Sequence, residues 1–167
     1  IVREIDKLIV SMSQGQKIIT DSDIEQYIGV SKEFNSFELN DAVMKRDVGR
    51  AMRIAEHFSH NPKSYPIIQT ITLLFNQFQQ LFLLNYHLWQ SRKRGIPMPA
   101  DMELMTAVRA NNLYALKELK ANIGKWTGPQ LFRVLGLLRE YDAKSKGVNS
   151  GSLDNGDLLK ELLLKIF

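Results

Sequence analysis

His57 and His60, in "HFSH", stand three residues apart, a spacing that sets two imidazoles on one side of a helix, where they could ligate a metal. A metal site needs a third and a fourth ligand. The chain has no cysteine and only one further histidine, His87, so the plainer reading is a helix end facing water. No metal and no cofactor is expected, and elemental analysis showing no stoichiometric metal would remove the idea of a helical metal enzyme built on this pair. Three carboxylate pairs could be offered as general acid and base: Asp21 with Asp23, Asp101 with Glu103, and Asp154 with Asp157. Each falls at or near an expected helix start, where free amides and the helix dipole favour a carboxylate, and capping accounts for them. No serine lies in a nucleophile elbow, and the cluster "GVNSGS" lacks the lysine and helix entry of a phosphate-binding loop. These patterns predict that the piece is not an enzyme.

The remaining charged motifs suit binding better than catalysis. "SRKRG" holds the densest basic run, Arg92, Lys93 and Arg94, and Lys117, Lys120 and Lys125 follow on a later segment. Cations at a helix C-terminus are favoured by the dipole, which competes with a phosphate-binding role. Trp89 and Trp126 could stack bases, although both also fit apolar stripes and so read as core. In "REYDAKSKG", Asp142 and Lys146 are placed to pair across one helical turn. Arg139, Lys144 and Lys146 together form a basic helix end, either solvated or facing a partner.

Elements must position these groups, and nearly every periodic segment is helical. Ile1, Ile5, Leu8, Ile9 and Met12 recur at threes and fours before Gly15, and Thr20 with Asp23 opens a short second helix that ends at Gly29. A boundary is expected in "GVSKEFNS". Beyond it, Ser36 can cap a helix that buries Phe37, Leu39, Ala42 and Val43. Asp47 caps another, with Val48, Ala51, Met52, Ala55 and Phe58 on one face and Arg46, Arg50 and Arg53 on a second. Pro66 suits the first turn of a long helix running to about Arg94. Its apolar positions 67, 68, 71, 74, 75, 78, 81, 82, 88 and 89 make a stripe wide enough for the central helix of a bundle. Gly95 and the prolines of "GIPMP" stop it. A short helix is expected over Asp101 to Arg109 and another in "NNLYALKELKANIGKW". A long one follows from Gly128 and Pro129, with Leu131, Leu135, Leu138 and Tyr141 or Asp142 in register. A last helix carries Leu158, Leu159, Leu162, Leu163 and Ile166. No strand, internal repeat or sustained heptad is expected, and the fold class is all-α.

Composition sets the outer limits. The 167 residues suffice for one domain, or for one domain plus a helical piece of another, and 44% hydrophobic with 24% charged residues is ordinary for a globular protein. The longest apolar run, Leu81 to Leu84, is far short of the roughly 20 residues of a membrane span, so no membrane is expected. The absence of cysteine excludes disulfides and suits a reducing compartment, with the cytoplasm as default. Because the chain opens on Ile1, a piece of a longer protein is expected. Charge is uneven: residues 1–32 carry four Lys or Arg against five Asp or Glu, and the rest 18 against 13, a surplus that could face an anion.

The order of these segments resembles the delta subunit family of bacterial DNA polymerase III, part of the clamp loader. The resemblance runs through "EIDKL", "ITDSDIEQYIG", "EFNSFELNDAVMKRDVGRAM", "PIIQTITLLFNQFQQL" and "LLREYDAKSKG" before the leucine-rich end, and so covers nearly the whole chain. It implies the end of a helical lid domain over residues 1–32 and a collar, an all-helical oligomerisation domain, over 33–167. Phe34 and Phe37 would then anchor the chain where it enters the collar.

By the same resemblance the piece is a non-catalytic subunit of the polymerase holoenzyme. Its partners would be gamma/tau and delta-prime type loader subunits, with primed DNA inside the assembly. The sliding clamp would be reached only through an upstream domain. Arg139, Lys144 and Lys146 are the interface candidates. The alternative is a free-standing helical nucleic-acid-binding domain using Arg92, Lys93 and Arg94 with Lys117, Lys120 and Lys125, whose binding would fall steeply with salt.

Overall fold

The computed structural model describes residues 34–149, 151 and 153–167. The two helices expected before Gly29, and with them the Asp21 and Asp23 pair, lie outside the described residues. The backbone divides between Asn35 and Ser36, and the unit from Ser36 to Phe167 is described below. Within it the described residues form seven α-helices: α1 Ser36–Lys45, α2 Val48–His60, α3 Ile67–Arg94, α4 Asp101–Ala107, α5 Leu113–Asn122, α6 Gly128–Ser145 and α7 Asn155–Ile166. A single 3-10 turn, Ile123–Lys125, joins α5 to α6. No described residue is in a strand, in keeping with the all-α expectation and a helical bundle.

Local chemistry sets the boundaries. The Asp47 carboxylate accepts from the Arg50 amide at 3.0 Å, and Asp154 from the Asp157 amide at 2.8 Å. Thr127 and Gln130 form a reciprocal capping box at the start of α6, where Pro129 costs no hydrogen bond. Pro66 precedes α3, which ends at Gly95 in the left-handed conformation (φ 66°), with Pro97 and Pro99 beyond it.

Five helices close a cycle. α3 packs along α6, α6 on α7, α7 on α2, α2 on α1, and α1 back on α3, while α4, α5 and the 3-10 turn sit against one another and, through α5 and the turn, against α3. The enclosed core includes Leu39, Ile54, Phe58, Phe78, Leu138 and Leu162. All five apolar residues expected in the last helix are buried. Gly156 lets α7 approach α2 closely, since a Cβ there would lie 2.4 Å from the Ser59 Cβ and 2.9 Å from its Cα. Trp126 is core as expected. Its indole N–H donates to the Met44 carbonyl at 3.1 Å, its ring meets Phe78 edge-on at 4.9 Å, and the Arg46 guanidinium lies 4.5 Å above it. Arg46 also donates to the Phe167 carbonyl at 2.9 Å, satisfying the end of α7.

Several expectations need correction. Phe37 is 75% exposed, because it lies two residues from Leu39 and so about 200° around the helix from the buried face. On α2 the buried set is Ala51, Ile54, Ala55 and Phe58; Val48, in the first turn, is exposed, and Ile54 takes the place expected for Met52. On α6 Val134, one residue before Leu135, holds the core position. The α3 stripe is not buried throughout. Ile67, Thr70, Ile71, Leu74, Phe78, Leu81 and Leu84 face the core, whereas Ile68 and Trp89 are exposed. By length and composition α3 could cross a bilayer, which the run-length criterion missed because its polar residues are spread out. Its buried face is committed to α6 and its neighbours, as in the core helix of a bundle.

Candidate functional site

Ile68, Phe75, Phe82 and Trp89 recur at intervals of seven along α3, and none of the four is buried. Seven residues are nearly two helical turns, so the four side chains form a second apolar stripe beside the buried one. Merging the two stripes into one wide face hid this spacing, which was present in the sequence as a single-position repeat.

The middle of the stripe borders a groove. α3 and α6 run antiparallel: Asn85 lies beside Gly128, where an added Cβ would meet the Asn85 Oδ1 at 3.1 Å, and Ile71 and Thr72 share the far end with Arg139 and Asp142. Between these ends an open groove of about 800 Å³ is lined by Phe75, Phe82 and Leu83 from α3 and by Phe132 and Leu135 from α6. Phe132 is 72% exposed. Gly136 also borders the groove and would meet nothing within 4 Å if it carried a Cβ.

The three interface candidates fare differently. Lys144 is held by Glu140 at 2.8 Å and lies 4.4 Å above the Tyr141 ring; the Glu140 carboxylate raises its pKa. Lys146 pairs with Asp142 at 2.7 Å, as the four-residue spacing predicts. Arg139 lies at the groove rim, exposed and without an ion pair among the described residues. Since Lys146 engages Asp142, the charge left uncompensated at that rim by the described residues is positive.

Tyr141, behind Lys144, is fully buried, and its hydroxyl has no hydrogen-bond partner among the described residues. Burial pushes the phenol pKa up, against the pull of Lys165. Lys165 pairs with Glu161 at 2.8 Å, which raises the lysine well above its ordinary value and lowers the carboxyl.

The basic candidates separate into two places. Lys120 is paired with Asp101 at 2.5 Å, so this carboxylate neutralises a cation in addition to sitting in the first turn of α4, and Lys117 is exposed on α5. Arg92 and Lys93 instead join Trp89 and the 3-10 turn around a cavity of about 370 Å³. Trp89 is a correction to the core reading: it is 44% exposed, because the last turns of α3 run past the start of α6 and burial stops at Leu84. The Arg94 guanidinium lies 5.0 Å from its ring.

His57 meets Tyr65 edge-on at 5.4 Å, and His60 Nδ1 lies 2.9 Å from the Glu56 carbonyl. Among the described residues no three His, Asp or Glu side chains gather where a metal could be held. Comparison with family models, curated proteins and solved structures gave no match.

Proposed function

We propose that the unit Ser36–Phe167 is a collar-type assembly domain of a bacterial clamp loader, a non-catalytic part of the polymerase holoenzyme. It would join gamma/tau and delta-prime type subunits in a cytoplasmic ring that loads the sliding clamp on primed DNA. An upstream lid and clamp-binding domain would complete the subunit. The segment order carries the family resemblance, and the observation that carries the assembly role is the apolar groove between α3 and α6, with Arg139 at its rim and no ion pair to it among the described residues. An open groove lined by phenylalanines has the character of an interface centre, where aromatic residues concentrate and charge is sparse.

The occupant argued by charge is a helix of a neighbouring loader subunit, apolar on one side and presenting a carboxylate to Arg139. A second copy of this chain would bring another arginine to the same rim unless the approach were staggered. The test mixes the chain with the ATPase-type subunits of the same loader and follows mass by light scattering across a size-exclusion peak. Co-migration that is lost in Phe82→Glu and weakened in Arg139→Glu is the expected result. A folded chain that stays alone while the other subunits assemble, or that self-associates through the groove, would reject it.

A further inference from the structure

The groove between α3 and α6 has one charged end and otherwise mostly apolar walls. Arg139 stands at that end, exposed and with no ion pair among the described residues, while Asp142 beside it is held by Lys146 at 2.7 Å. Toward the other end the walls are Phe75, Phe82, Phe132 and Leu135. Of the remaining polar groups in the lining, Thr72 donates its hydroxyl to the Ile68 carbonyl at 2.8 Å, and Gln79 adds a neutral amide. Gly136 lies between Phe132 and Arg139. In the interior of a helix glycine is disfavoured against alanine, yet nothing comes within 4 Å of where its Cβ would be, so no neighbouring backbone requires it. What the bare backbone does is keep this stretch of the groove open. Phe132 and Arg139 are seven residues apart on α6, about 10 Å along its axis, close to the reach of an extended chain of about eight carbons. The volume of about 800 Å³ is within the range of sites that hold small molecules.

We infer that this groove binds a free medium-chain monocarboxylic acid. The carboxylate sits on Arg139, and the alkyl chain lies along Gly136 between the rings of Phe75 and Phe82 on α3 and Phe132 on α6. Guanidinium and carboxylate match as a bidentate pair, and the chain takes apolar surface of several rings out of water at once. An alkyl cation of the same length meets Arg139 with like charge, and an alcohol forgoes the ion pair. The acid and a helix of a neighbouring subunit need the same Arg139 and Phe82, so they exclude each other; that consequence rests on the assembly reading, and the binding itself does not.

The whole chain, without any other subunit, is titrated by calorimetry at neutral pH with hexanoate, octanoate, decanoate and dodecanoate, each below its micelle concentration. Affinity should rise about two- to fourfold per CH2 as far as decanoate and little beyond it. Octyltrimethylammonium should bind far more weakly than octanoate. Arg139→Gln should weaken octanoate roughly tenfold or more and leave 1-octanol unchanged, because only the acid uses the guanidinium. Gly136→Leu places a side chain in the groove from a position with free space, so it should abolish binding while the chain stays folded by circular dichroism and urea unfolding. Equal binding of the acid and the alkyl cation, no dependence on chain length, binding unchanged in Gly136→Leu, or no binding tighter than about 1 mM by the folded chain would each overturn the assignment. A chain that assembles with loader subunits but takes up no decanoate overturns the acid site alone; one that takes up decanoate but never assembles supports the site and rejects the assembly reading.

Discussion

Two glycines separate tight packing from free space at the scale of a single Cβ. Gly156→Ala must move the Ser59 backbone and should cost about 1–3 kcal/mol. Gly136→Ala, in the interior of α6 with nothing near its Cβ, should stabilise by about 0.5–1 kcal/mol through helix propensity and a less free unfolded chain. Urea unfolding of both variants checks the opposite signs. Glu161 supplies a pH dependence. Lys165 lowers the carboxyl below its ordinary 4.5, so the folded state binds that proton less readily than the unfolded chain. Its contribution is therefore complete above about pH 4.5 and is lost as pH falls through the lowered folded value. Between pH 6 and 3, Glu161→Gln should show a shallower fall in urea midpoint than the unsubstituted chain; parallel curves would refute this. Tyr141 works at the other end. Burial raises its phenol, so stability falls as pH rises above about 10, and Tyr141→Phe should flatten that fall.

At the scale of elements, α6 carries two faces that substitutions should separate. Leu138 is fully buried and Leu138→Ala should cost about 2–5 kcal/mol, because the enclosed cycle of helices can collapse only partly onto the void. Phe132→Ala removes a largely exposed ring and should leave the urea midpoint nearly unchanged while weakening co-migration with loader subunits. Equal losses of stability in the two variants would mean that the Phe132 face is core instead of interface. α3 is legible in the sequence as a long helix between Pro66 and Gly95, yet its breadth reads as uniform burial. Only the position of α6, which starts beside Asn85, shows where covering stops and where Trp89 emerges.

For the whole molecule the proposed groove should respond little to salt. Assembly centred on Phe75, Phe82 and Phe132 should persist at moderate ionic strength, since apolar burial is not screened, and light scattering across a salt series checks it. The sequence by itself determined the all-α class, the start of α3 after Pro66, the caps at Asp47 and Asp154, the buried face of α7 and the Asp142 pair with Lys146. Each of these follows from residue identity and a spacing within a few turns. Tertiary structure alone decided which apolar stripe of α3 is covered, that Trp89 is exposed, and that Arg139 has no ion pair among the described residues while Lys120 finds Asp101. Those outcomes depend on which distant segment lies opposite, and local periodicity records only that a face is apolar or charged.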